Sequence, residues 1–329
     1  MTNMRPMRSV AARAGALGLA VGLIAWPSGA EAAFSLSQTF NDPTVTTQDL
    51  FGSSVAIGGN NVLIGASLDD TNGINAGQAH LFDATSGNLL QTFNDPTPTG
   101  ADEFGISVAI DGNNVLIGAF NDDTNGSNVG QAHLFDATTG NLLQTFNDPT
   151  VTTQDVFGSS VAIDGNNVLI GAYLDDTNGT NAGQAHLFDA TTGNLLQTFN
   201  DPAPAVVDQF GFSVAIDGGN VLIGARGDDT NGPLVGQAHL FDAATGNLLQ
   251  TFNDPTPTTG DRFGQSVAID GNNVLVGAHN DNSIGLDVGQ AHLFTQPAST
   301  PVPEPSSLAL MLAGLLTLGL LRRRRSADC

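Results

Sequence analysis

The sequence predicts an all-β fold made of five copies of one antiparallel unit. Three observations carry this. Phe51-Gly52, Phe104-Gly105, Phe157-Gly158, Phe210-Gly211 and Phe263-Gly264 recur at intervals of 53 residues, and His80, His133, His186, His239 and His292 keep the same interval. A fixed period of this kind marks a repeat architecture. Each copy holds four short runs of strand-forming residues separated by turns rich in Gly, Asn and Asp, with no convincing helix between them. The stretch Phe34 to Phe40, with Asn41-Asp42-Pro43-Thr44 after it, copies the end of each later repeat, while the array stops at Phe294 without that segment.

The second copy shows the elements in order: strand a over 107–110, strand b over 115–119, strand c over 131–135 and strand d over 142–146. Strands a and b are almost wholly apolar, as expected when both faces are covered. Asp111-Gly112-Asn113-Asn114 joins them. It is a tight-hairpin signal, because Gly and Asn accept positive φ. A longer turn, Asp136 to Asn141, joins c to d, with Gly140 available for a left-handed position. One such unit cannot bury its own faces, so stability must come from packing unit on unit. Phe and Gly at the start of each unit suit this: an aromatic wedge, then a residue that lets backbones approach. The expected architecture is a five-bladed β-propeller of four-stranded antiparallel blades. Its N-terminal strand would close the last blade and remove exposed edges. A β-solenoid is the alternative, but it does not explain the displaced terminal strand.

The ends read differently. Residues 1–32 carry Arg5, Arg8 and Arg13, an apolar run over 14–26 and Ala30-Glu31-Ala32, the order of a secretory signal with cleavage after Ala32. This implies the Sec export machinery as a partner. The repeat body spans 33–294, a linker 295–302, and a C-terminal segment 303–329. That segment holds Pro303-Glu304-Pro305, an apolar run over 308–321 and the cluster Arg322, Arg323, Arg324 and Arg325. Helical apolar segments are thus expected at both ends. The second run is short for a membrane span, which needs about 20 residues, and its Arg cluster fits the cytoplasmic side.

Charge narrows the partners. The chain has a formal net charge of −23, and seven of its nine basic residues lie at the ends. Between Ala33 and Pro303 only Arg226 and Arg262 are basic. Such a body repels nucleic acid and anionic lipid. The only cysteine is Cys329, so no intrachain disulfide is available.

Strand alternation places the b–c and d–a connections at one end of every unit, where most acids gather. Oxygen ligands from Asp and Asn at alternate positions suit Ca²⁺. The candidate ligands are Asp69, Asp70 and Asn72; Asp122, Asp123 and Asn125; Asp175, Asp176 and Asn178; and Asp228, Asp229 and Asn231. In the fifth copy Asn280, Asp281 and Asn282 precede Ser283, a degenerate version. The competing account is a plain Asx turn. The five His residues sit one unit apart and cannot converge on one metal, so packing between units is their expected role. Arg226-Gly227-Asp228 spells an adhesion tripeptide in a single copy and is read as chance.

The run Phe-Gly-x-Ser-Val-Ala-Ile-Asp-Gly-Asn-Asn-Val-Leu-Ile-Gly-Ala, followed by Gly-Gln-Ala-His-Leu-Phe, resembles the FG-GAP repeat, which builds the propeller of integrin α-subunits and many bacterial surface proteins. Ser67, Phe120, Tyr173, Arg226 and His279 stand where that motif ends in Pro, and His replaces the usual aromatic before Leu-Phe. The resemblance implies a surface role and supports calcium, although the stricter Asp-x-Asp-x-Asp-Gly loop is absent. The tail resembles the PEP-CTERM sorting signal. That implies export in a Gram-negative bacterium, transient anchoring in the inner membrane, and cutting by an exosortase-type enzyme before transfer to the surface or matrix.

No nucleophile elbow, phosphate loop or unique carboxylate pair stands out, and the copies are nearly identical. The expected function is therefore a non-enzymatic adhesion or binding module, directed at extracellular polysaccharide or surface proteins. The alternatives are a propeller-type polysaccharide hydrolase or lyase, and a purely structural matrix protein.

Overall fold

The computed structural model describes residues 35–285 and 288–296. The expected signal segment with Ala30 and Ala32, the apolar runs at both ends, and the tail with Pro303 to Pro305 and Arg322 to Arg325 lie outside the described residues. The compact unit begins at Gln38; ahead of it only residues 35–37 are described. Among the described residues no helix is long and apolar enough to cross a membrane.

Five antiparallel sheets follow one another, each in simple meander order, consistent with the blades of a five-bladed propeller; among the described residues the leading face of sheet one and the trailing face of sheet five stay uncovered, so the expected ring is not closed. Sheet one is β1 (Phe51–Gly58), β2 (Asn61–Ala66), β3 (Gln78–Asp83) and β4 (Leu89–Asn94). Sheet two is β5 (Ser107–Asp111), β6 (Asn114–Ala119), β7 (Gln131–Asp136) and β8 (Leu142–Asn147). Sheet three is β9 (Ser160–Asp164), β10 (Asn167–Ala172), β11 (Gln184–Asp189) and β12 (Leu195–Asn200). Sheet four is β13 (Phe210–Asp217), β14 (Asn220–Ala225), β15 (Gln237–Asp242) and β16 (Leu248–Asn253). Sheet five has three strands: β17 (Phe263–Asp270), β18 (Asn273–Ala278) and β19 (Gln290–Thr295).

The core lies between sheets. Leu63, Ala79, Leu81 and Phe93 on the trailing face of sheet one meet Phe104, Val115, Ile117 and Phe135 on the leading face of sheet two. Leu116, between Val115 and Ile117, packs forward into the next layer. This explains why the second strand is apolar from Val115 to Ala119: both of its faces are covered. The Phe of each Phe-Gly pair closes the layer. Phe104 is fully buried and meets Phe135 edge to face, with centroids 6.1 Å apart. Such a pair adds about 0.5–1.5 kcal/mol beyond its buried area. A Cβ on Gly65 would stand 2.0 Å from the Gly105 carbonyl oxygen, which also accepts the Ser54 hydroxyl at 2.6 Å. Backbones of adjacent sheets touch there, and only glycine permits it.

The fourth strand expected for sheet five is not formed. Among the described residues β19 pairs with β18 alone. Residues from Gln38 to Thr44 instead lie against sheet one, in the manner of a fourth strand from a preceding sheet. Gln38 Nε2 donates to the Thr85 carbonyl at 2.9 Å, as Gln91 does to Thr138 and Gln144 to Thr191. Phe40 packs on Phe82 at 5.0 Å, as Phe93 packs on Phe135 at 5.1 Å. A fourth strand has two partners, the third strand of its own sheet and the leading face of the next sheet. This segment keeps the second partner and lacks the first.

Candidate functional site: a buried Asp and His cluster in each sheet

The loop after β8 brings Asp148 and Asp155 inward, and the loop between β10 and β11 brings Asp175. Carboxylate oxygens of the three lie within 4.8 Å of one another, and all three residues are buried. His186, on β11, points its Nε2 at the same place, 3.9 Å from Asp148 Oδ1. Local chemistry sets these orientations. Asp148 Oδ1 accepts the Thr150 amide at 2.8 Å, and Asp175 Oδ1 accepts the Thr177 amide at 2.8 Å. Both are Asx turns, which commit one oxygen and aim the other inward. Asp155 Oδ2 accepts the Thr152 amide at 2.6 Å. The next residue, Val156, has φ 55°. That left-handed step costs a β-branched residue about 1–2 kcal/mol, and it separates inward Asp155 from core residue Phe157.

The cluster has more acceptors than protons. The Thr150 hydroxyl lies 2.8 Å from Gln184 Oε1 and 3.1 Å from both Asp148 Oδ1 and Asp175 Oδ2. It carries a single proton. The His186 Nδ1 is taken by the Thr198 hydroxyl at 3.1 Å, and its Nε2 has no hydrogen-bond partner, nor does Asp148 Oδ2. Burial pushes Asp148 up to about 6, with the Asp155 and Asp175 charges adding to the rise, and it pushes His186 down to about 4. Both shifts disfavour charge where no counter-ion stands.

The arrangement occurs five times among the described residues. Asp95, Asp122 and His133 converge within 4.8 Å, as do Asp201, Asp228 and His239, then Asp254, Asp281 and His292, and finally Asp42, Asp49 and Asp69. His80 stands 3.9 Å from Asp42 by its Nε2, His239 the same distance from Asp201, and His292 from Asp254. Burial holds Asp95 at about 6, Asp201 at about 7 and His133 and His239 at about 4. The fifth cluster is intact. Asp281 stands one period after Asp228, and the Ser283 amide fills the turn position taken by Thr elsewhere, donating to Asp281 Oδ1 at 2.7 Å.

Comparison with known families bears on the same residues. The FG-GAP repeat matches at 41–82, 98–135, 148–188, 203–241 and 255–294. The chain belongs to the FG-GAP repeat family. The matches at 41–82 and 148–188 take in a whole cluster, and the other three take in all of theirs except the leading aspartate, Asp95, Asp201 or Asp254. Residues 301–325 match the PEP-CTERM protein-sorting motif, a signal read by exosortase and tied to export and surface sorting in Gram-negative bacteria. No curated protein matches the chain.

The FG-GAP loops divide the twelve sequence-predicted ligands in three. Asp69, Asp122, Asp175 and Asp228 enter the clusters. Asp70, Asp123, Asp176 and Asp229 turn back on their own loop. Their Oδ1 atoms accept the amides of Asn75, Asn128, Asn181 and Leu234 at 2.6–2.7 Å. Asn72, Asn125, Asn178 and Asn231 donate to the Oδ1 of Asn94, Asn147, Asn200 and Asn253 at 2.6–2.7 Å. The sequence reading does not single out the cluster's remaining members. They are the Asp of each Asn-Asp-Pro, the Asp two residues before each Phe-Gly, and the His. Their shared 53-residue period was the available signal. The Arg226-Gly227-Asp228 tripeptide is not presented outward: Asp228 is buried, and the Arg226 guanidinium lies 3.5 Å over the Phe212 ring.

The donor set fits a divalent cation. Opposite ligands around Ca²⁺, with bonds of about 2.3–2.6 Å, stand about 4.6–5.2 Å apart. Three carboxylates and an imidazole would satisfy the orphaned Asp148 Oδ2 and His186 Nε2 together. His–Thr bonding fixes the ring so that Nε2 faces the carboxylates, as outer partners of metal-binding imidazoles do.

Proposed function

We propose that this chain is a non-enzymatic binding module displayed at the cell surface or in the matrix, with one divalent cation bracing each sheet. The observation that carries the reading is the equivalence of the five clusters. An active site needs one place unlike the others, whereas structural bracing and multivalent binding use repeats. The sorting motif supports surface delivery. The expected ligands outside the cell are polysaccharide or neighbouring surface proteins. Calcium suits the carboxylates, and the imidazole favours Mn²⁺ or Zn²⁺ at the same position.

The test has two arms. The full chain is freed of metal with chelator and followed through thermal unfolding with Ca²⁺, Mn²⁺ or Zn²⁺ added singly. Binding to the folded state raises the midpoint by linkage; no rise with any of the three at millimolar concentration would remove the cation. A glycan array probed with the same protein checks the binding arm. Turnover of any arrayed polysaccharide would replace it with the hydrolase or lyase reading.

A further inference from the structure

Each junction between successive sheets repeats one set of contacts. The Ser54 hydroxyl donates to the Gly105 carbonyl, Ser107 to Gly158, Ser160 to Gly211 and Ser213 to Gly264, at 2.6–2.8 Å. A Cβ on Gly65, Gly118, Gly171 or Gly224 would meet the next sheet's glycine carbonyl at 2.0–2.1 Å. The first and last sheets carry the two unmatched halves of this junction. Gly52, the equivalent of Gly105, has nothing within 4 Å of its Cβ position, and Gly277 meets only its own neighbour Ser266. Val55 and Ile57 on the leading face of sheet one are 67% and 71% exposed, while Val108 and Ile110 pack into the core. Leu293 on β19 is 63% exposed, while its equivalents Leu81, Leu134 and Leu187 are buried. Among the described residues the edge of β19 is unpaired, and the segment that copies its missing partner is held on sheet one.

We infer that the last sheet of one copy receives the first sheet of a second copy, head to tail, with residues 38–41 of the second copy completing the first copy's β19. The register follows from the other sheets. Gln78, Ala79, His80 and Leu81 pair with Asn94, Phe93, Thr92 and Gln91. Gln290, Ala291, His292 and Leu293 therefore pair with Asn41, Phe40, Thr39 and Gln38 of the incoming copy. The contact is heterologous, so it propagates along a line of copies rather than stopping at two. It adds a strand to an open edge and covers two apolar faces in one step. The occupant is a second copy because this face already fits this chain's own sequence four times over, and because in this structure the chain's own two ends leave each other's faces exposed. The acidic body opposes association, and physiological salt screens that repulsion beyond about 8 Å.

The experiment uses two full-length chains with different affinity tags, in mild detergent and physiological salt. Val55→Glu with Ile57→Glu charges the leading face, and Leu293→Glu charges the trailing face; all three positions are exposed, so the fold is kept, as an unchanged unfolding midpoint would verify. Wild-type chains should capture one another, and each variant alone should lose nearly all self-capture. The two variants mixed should recover it as discrete pairs, since each still owns one intact face. Failure of the mixture to pair would overturn the inference. So would self-capture that survives in both variants, which would point to the apolar termini, or a wild-type monomer whose β19 amides are protected from exchange, which would mean that 38–41 closes the sheet within one chain.

Discussion

His186 Nε2 lies 3.9 Å from Asp148 Oδ1, and both side chains are wholly buried. The two residues come from different elements, β11 and the loop after β8. Neither has a hydrogen-bond partner for the atom it turns inward: His186 Nε2 and Asp148 Oδ2 are both orphaned. A buried polar atom left in this state costs about 1–3 kcal/mol, and the protein repeats the situation in each sheet.

Asp148→Asn is expected to lower the stabilisation gained from added cation without abolishing it, because four clusters remain. Each occupied site contributes about 2.7 kcal/mol when free ion is a hundredfold above its dissociation constant. Thermal unfolding with and without metal measures the difference between wild type and variant. A variant that responds to metal as fully as wild type would place the ion elsewhere.

Phe157→Ala is expected to cost about 3–5 kcal/mol. Phe157 is fully buried and closes the layer between sheets two and three, meeting Phe188 edge to face at 6.0 Å. Phe40→Ala should cost clearly less, because Phe40 is only partly buried on sheet one. Denaturant titration of both variants gives the comparison, and equal losses would contradict this account of the core.

Gly171→Ala places a methyl 2.1 Å from the Gly211 carbonyl oxygen, backbone that cannot step aside. It should disrupt the junction between sheets three and four and lower the unfolding midpoint sharply. In Gly277→Ala the nearest atom is the Ser266 hydroxyl oxygen at 2.4 Å, which can rotate away. The second variant should fold with a much smaller loss. Circular dichroism melting curves of the two distinguish them.

Acid should remove one identifiable contribution. Asp136 has its pKa lowered first by the Thr139 amide and then by the Thr139 hydroxyl; Asp83 and Asp189 show the same causes with Ser86 and Thr192. A depressed folded pKa means stability that is present above the unfolded value of 3.8 and lost as pH falls through the folded value. Asp136→Asn should therefore be less stable than wild type at pH 7, with the gap closing below about pH 4. Chemical denaturation across that range reads the gap; one that widens in acid would contradict the assignment.

Much of this molecule follows from local sequence. The five sheets, the strand bounds of the second sheet to within a residue, and the hairpins at Asp111 to Asn114 and its equivalents arise from contacts among neighbours, which alternation and turn chemistry report directly. Periodicity then gave the number of units. The clusters did not follow in the same way. Asp42, Asp69 and His80 meet only after two loops and a strand have folded around one another, and the acids that stay out, such as Asp70, differ from Asp69 by one position in the same turn. The fate of Gln38 to Thr44 was equally closed to reading by eye. The sequence alone shows that this segment copies a fourth strand. Tertiary structure decided which of its two partners it holds, because side-chain packing on sheet one and backbone pairing with β19 are separate contacts that one repeated motif encodes equally well.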